Sequence, residues 1–298
     1  MPKNEKIFSI NGDTVKSTAR DLKKKETLIE LTESKKAKKI LTGTIKGVEK
    51  YGDKVAAIVF YKDFKVIIPS QFLIDITPVP NKPEDQWPEY LLSKRLGSEV
   101  DFIIEQIDEE NDMAVANRFK AMAYKRNTIL LAKNPDGSPY IPEGSIVEAR
   151  VVCSTRAGAF VEVFGVETFI PSRELSYQRI QDATVEFPVG SVVYVKISNI
   201  VQENDKVTLT ASVKQAIENP YKKAMLTYEI GNKYIGEVSM VDEHGVFVAL
   251  EGGVDALCPF PKRGVRPTKG TKVTVRITIK NEEMERIFGT ITHISTAQ

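Results

Sequence analysis

The chain has 298 residues, 42% hydrophobic and 28% charged, with a formal net charge of +2; that length fits two ordinary domains or three small ones. Its two cysteines, Cys153 and Cys258, stand far apart, which argues against a disulfide framework or a zinc site and fits a reducing cytosol. No apolar run approaches the ~18 residues of a membrane span, and MPKNEKIFSINGD lacks a signal-peptide core, so the expected location is cytoplasmic and off the membrane.

Residues 1–39 read as a basic arm. Between residues 16 and 39 there are nine Lys/Arg against four Asp/Glu, and the apolar stripe is thin, so a solvated, partly helical state is expected. Residues 40–117 form a first β-rich bead, interrupted by ITPVPNKPEDQWPEYLLSKRLG, in which PEYLLSKRL reads as a short helix. Residues 118–143 are a basic helical connector and a turn-rich linker. A second bead spans 144–213, a connector 214–229, and a third bead 230–298.

The three beads repeat one pattern. Gly43 precedes Gly52 by nine residues, as Ala149 precedes Gly158 and Gly236 precedes Gly245. An apolar run ending in Pro69, Pro171 or Pro259 follows. Self-similarity of this kind marks an array of one small module. Each bead reads as five short strands, in the third YIGEVSMV, VFVAL, VDALCP, KVTVRITIK and RIFGTIT, which suits a small closed barrel.

Strand alternation selects candidate binding residues. Val161 and Val163 point inward, leaving Phe160 with Glu162 on the wet face. Val246, Val248 and Leu250 point inward and leave Phe247 outward. A phenylalanine exposed at the same place in two repeats is a stacking platform for a base. Tyr51 and His244 precede the second glycine of their repeats and offer further rings, and Lys54 stands where the first repeat lacks the phenylalanine. From Ala256 to Asn281 there are seven basic residues and no acidic one, among them Lys262, Arg263, Arg266 and Arg276. In KVTVRITIK the basic positions share one face and Val273, Val275, Ile277 and Ile279 share the other. A basic stripe of this kind suits a phosphate backbone. Arg156, in the turn before the Phe160 strand, and Lys206 and Arg286, each directly before an inward Val207 or Ile287, complete the set. The first repeat has Ala114 at that last place, followed by Val115. No nucleophile–base pair, phosphate-binding loop or metal cluster is evident, so an enzyme is not expected, and no cofactor or metal.

RAGAFVEVFGVETFIPSRELS followed by PVGSVVYVKISNIVQENDKVTLTAS resembles the S-one RNA-binding domain, the repeat of the bacterial ribosomal protein S-one family. GEVSMVDEHGVFVALEGGVDALCP and GTIKGVEKYGDKVAAIVFYKDFKVIIPSQFL resemble more diverged copies. The resemblance implies three tandem five-stranded OB-fold barrels joined by short helical connectors, a mainly β chain. It implies RNA contacts by Tyr51 or His244, by Phe160 or Phe247, and by Lys206 or Arg286, with proline where the family has a histidine. The function it implies is non-enzymatic binding of single-stranded RNA, messenger RNA in translation, by a monomer, with the small ribosomal subunit as a further expected partner. The alternative is an interaction adaptor docking on a ribosome or ribonuclease assembly, with little RNA affinity of its own.

Overall fold

The computed structural model describes residues 7–8, 14–15, 19–204, 206–261 and 266–295. The chain is mainly β, with three five-stranded sheets of OB-fold type, as the alternating patterns predict. It divides into two compact units, residues 1–141 with 164–166 and residues 142–163 with 167–298. The second and third sheets thus share a unit, where the sequence suggested three separate beads.

In the first unit, β1 (Ile7–Phe8) and β2 (Thr14–Val15) pair with each other. Helix α1 (Ala19–Ala37) leads into β3 (Leu41–Tyr51), β4 (Lys54–Tyr61) and β5 (Phe64–Pro69). Then come α2 (Trp87–Ser93), inside the stretch read as a short helix, β6 (Glu99–Asp108), β7 (Met113–Asn117) and α3 (Arg118–Lys125). The strands close into a barrel in the order β3-β4-β5-β7-β6, with β5 and β7 parallel. Val55, Ala57 and Val59 fill it from β4, with Phe64, Val66 and Ile68 from β5. Helix α1 is not a solvated arm. Leu31 is fully buried and belongs to the barrel core, and the Ser34 hydroxyl accepts a hydrogen bond from the Ile104 amide at 3.1 Å. Leu28 packs beside Leu31, and Glu30 accepts from the Tyr61 hydroxyl at 2.8 Å, so polar contacts share the seating and the apolar stripe stays thin. The basic connector is also tied down: Arg118 is 1% exposed and donates to the Leu73 carbonyl at 3.0 Å, and Lys125 pairs with the buried Asp101.

In the second unit, β8 (Ile146–Thr155), β9 (Gly158–Val163) and β10 (Val166–Pro171) are followed by two single turns, α4 (Ser172–Leu175) and α5 (Ala183–Glu186), then β11 (Val192–Glu203) and β12 (Lys206–Ser212). Their order is β10-β9-β8-β11-β12, a ribbon whose outer strands share no ladder among the described residues. The Thr168 hydroxyl spans that seam, donating to the Leu209 carbonyl at 2.6 Å. Helix α6 (Pro220–Thr227), capped by the Asn219 side chain, precedes β13 (Lys233–Asp242), β14 (Gly245–Leu250), β15 (Val254–Cys258), β16 (Lys272–Asn281) and β17 (Arg286–Ile294). These five strands close in the order β13-β14-β15-β17-β16. Among the described residues no helix is long and apolar enough to cross a membrane.

Candidate nucleic-acid interface

The first strand of each five-stranded sheet carries a bulge at the same place, and it fixes which residues correspond. Pairing runs Val151↔Val161 then Cys153↔Phe160 in the second sheet, and Val238↔Val248 then Met240↔Phe247 in the third. In the first it runs Ile45↔Val59 then Gly47↔Ile58. Phe160 and Phe247 therefore do share one position, but its occupant in the first barrel is the buried Ile58, not Lys54. The nine-residue glycine spacing misleads because the first hairpin is longer. Tyr51 pairs with Lys54 across its turn, whereas Thr155 pairs with Gly158 and Asp242 with Gly245. Gly52 sits in that turn at φ +62°, while Gly158 and Gly245 stand on strands. There a Cβ would come within 2.2 Å of the Ile170 carbonyl oxygen and 2.4 Å of that of Cys258. Tyr51 is half exposed, its hydroxyl donating to Glu49 at 2.7 Å, and Lys54 is exposed; both project past the shared frame.

The same register corrects the strand-five position of the first barrel. Ile58 pairs with Ile67 and Ile67 with Val115, as Phe247 pairs with Leu257 and Leu257 with Phe288. Ala114 is thus the inward residue, equivalent to Ile287, and Met113 stands where the third barrel has Arg286. In the other two sheets the expected order holds: exposed Lys206 and Arg286 open their strands just before buried Val207 and Ile287.

On the second sheet Val161 and Val163 are fully buried and Phe160 is partly exposed. Its ring lies 4.9 Å from that of Phe169, tilted by 50°. Phe169 is 41% exposed and was missed in the sequence, although its alternation with the fully buried Ile170 was there to be read. Glu162, assigned to the same wet face, is only 5% exposed, so that face is not uniformly solvated. Arg156 extends from the hairpin turn, almost wholly exposed, 3.4 Å from Asp182. The sheet thus carries a two-ring aromatic step together with Arg156 and Lys206.

On the third barrel Val246, Val248 and Leu250 enter the core as expected, and Phe247 lies outside that core. It is nevertheless buried, 6% exposed, because the segment after α4 covers it. The Arg179 guanidinium lies 5.0 Å from the ring centroid. The Arg179 amide donates to Asp255 at 2.7 Å, and the Ser239 hydroxyl to the other carboxylate oxygen at 3.1 Å. Burial pushes the Asp255 pKa up, against the pull of those two donors. Beneath the segment is a cavity of about 410 Å³, lined among others by Arg173, Tyr177, Lys214, Phe247 and Arg286. His244 is exposed at the hairpin turn, where its amide donates to Asp242 at 2.8 Å.

The basic run of the third barrel is less available than it reads. Lys262 and Arg263 lie outside the described residues. Arg266 sits 5.0 Å above the Phe260 ring, Arg276 donates to the Gly231 carbonyl at 3.1 Å, and Lys280 to that of Met225 at 2.7 Å. Ile279, expected inward, is 56% exposed because β16 bulges between Ile277 and Ile279.

Residues 140–212 match the model of the S1 RNA binding domain. This stretch carries an S1 RNA-binding domain. It includes β8 to β12, hence the Phe160–Phe169 step. Relatives extend the likeness beyond the S1 domain. The small ribosomal subunit protein bS1 of Neisseria meningitidis is 26% identical over 271 residues, 87% of this chain and 44% of that protein. The bS1 protein of Coxiella burnetii is 26% identical over 72% of this chain and 38% of its own length. A 4-hydroxy-3-methylbut-2-enyl diphosphate reductase of Clostridium acetobutylicum is 33% identical over 144 residues, 47% of this chain but 22% of the enzyme. The chain therefore spans less than half the length of these relatives.

Proposed function

We propose that this chain is a non-enzymatic RNA-binding protein of the ribosomal S1 type, acting in the cytosol on single-stranded messenger RNA in translation, as a monomer and in association with the small ribosomal subunit. The observation that carries the reading is the Phe160–Phe169 step on the sheet that matches the S1 domain, flanked in sequence by Arg156 and Lys206. Rings stack on any base at about 1–3 kcal/mol each, and cations neutralise phosphate, so the surface suits an unpaired strand with little sequence preference. The relatives from Neisseria meningitidis and Coxiella burnetii carry the name of a ribosomal protein, which favours translation as the setting. Titration of a labelled single-stranded RNA into the full chain over a salt series, against DNA and duplex RNA of equal length, tests it. Tight, salt-sensitive binding of the single strand that Phe160→Ala weakens is expected; binding indifferent to salt and to that substitution refutes it.

A second reading is favoured by the first barrel, where Ile58 replaces the platform and Lys24, Lys62 and Lys120 are paired with acidic groups. Under it that barrel docks a ribosome or ribonuclease assembly, and capture of such a partner persists after RNase treatment.

A further inference from the structure

The cavity over Phe247 has a composition that the fold alone does not explain. Arg173 and Arg179 reach it from the second sheet's α4 segment, Lys214 from the connector, and Arg286 from the third barrel. None of the four makes an ion pair among the described residues. Two carboxylates also line it, but both are engaged: Asp255 accepts from the Arg179 amide and Ser239, and Glu285 accepts from the Asn219 side chain at 2.5 Å. Four cations against two carboxylates leave the lining of the hollow with an excess of positive charge, which attracts an anion.

Its walls are aromatic as well. Phe247 has the planar Arg179 guanidinium over its face, and Tyr177 has the Lys214 ammonium 4.6 Å from its centroid. Each ring thus holds a cation against its π-cloud, the position an electron-poor heterocycle takes when it stacks. The Tyr177 ring lies 6.4 Å from that of Tyr221, which lines the floor. At about 410 Å³ the hollow falls in the range of about 300–1,000 Å³ typical of small-ligand sites. A flat ring and an anion joined by a short spacer describe a nucleotide.

We infer that this cavity is a nucleotide site built jointly by the second sheet and the third barrel, in which a base takes the Phe247 or Tyr177 face and its phosphate is held by Arg173, Lys214 and Arg286. The choice of ligand class rests on the RNA-binding reading above. The third barrel then binds only with residues lent by its neighbour: Arg173, Tyr177 and Arg179 lie outside the third barrel altogether. Phe247 is covered in the free chain because the Arg179 side chain holds the place of the base.

The test is calorimetric titration of the full chain with uridine 5′-monophosphate, with inorganic phosphate in parallel. Wild type is expected to bind the nucleotide, and Arg173→Gln combined with Lys214→Gln to raise its Kd by about tenfold or more, through two lost charge-assisted phosphate contacts. Phe160→Ala, on the other aromatic face, should leave that Kd unchanged. Phosphate binding as well as the nucleotide does, or a Kd indifferent to the double substitution, overturns the proposal. So does a wild type silent to the nucleotide while single-stranded RNA still binds. Nucleotide binding retained in a chain that ignores single-stranded RNA would refute only the broader function.

Discussion

The guanidinium of Arg179, in the segment after α4, stacks over the ring of Phe247 on β14, 5.0 Å from its centroid, within one compact unit. Arg179 is itself exposed, so a cation–π pair of this kind contributes about 0.5–1 kcal/mol. Arg179→Ala should lower the stability of that unit by about that much while leaving the first barrel alone. Urea unfolding followed by tyrosine fluorescence reads it, and an unchanged midpoint would mean that the contact is incidental.

Phe160 and Phe169 touch, so their contributions to RNA binding should not add. Each single alanine substitution is expected to weaken single-strand binding by about 1–3 kcal/mol. The double variant should lose less than the sum, with a coupling of about 0.5 kcal/mol or more. Strict additivity in a double-mutant cycle would show that the rings act as separate platforms, or that only one touches RNA.

Asp255 gives the second unit a pH signature. Burial raises its pKa above the ordinary 3.8, so the folded chain keeps a proton at pH values where the unfolded chain has lost it. Its contribution is therefore fully present below the ordinary carboxylate range and is lost as pH rises through the raised folded value. Asp255→Asn should abolish that decline. The difference in unfolding free energy between wild type and variant, measured from pH 3 to 7, is expected to move in the variant's favour as pH increases; a flat difference contradicts the assignment.

Cys258 is fully buried and its thiol is pushed up to about 12 by that burial, and Cys153 is buried as well. Neither thiol should react with a disulfide reagent at pH 8 in the folded protein, since the thiolate is the reactive form. Both should react in denaturant. Rapid modification of either without denaturant would mean that its barrel opens readily.

What the sequence made legible follows from period-two alternation. Val273, Val275 and Ile277 are buried as the pattern demands, and the five strands read for the third barrel overlap those observed. What it hid depends on contacts between distant segments. Nothing in VFVAL announces that residues 176–180 will cover Phe247, and nothing in the basic arm announces that Leu31 and Ser34 will seat it on β6. The equation of Lys54 with Phe160 failed because a constant glycine spacing conceals a hairpin two pairs longer. Ile279 left its predicted face because a bulge shifts the alternation partway along β16. Arg276 and Lys280 look like phosphate ligands in one dimension, yet each already donates to a backbone carbonyl. Phe169 is the exception: its exposure was available from alternation alone.

The seam spanned by Thr168 bears on how the molecule carries load. In the third barrel β17 is held on both sides, by β15 and β16, so dislodging it means breaking two ladders together. Among the described residues β12 is laddered only to β11, and the Thr168 hydroxyl on β10 bonds across to the Leu209 carbonyl on it. Pulled through its C-terminal end, the second sheet sheds β12 by unzipping one row of bonds in sequence, at lower force than a closed ring requires. Under the proposed RNA-binding role, load applied at the Phe160–Phe169 step would fall on this singly laddered sheet.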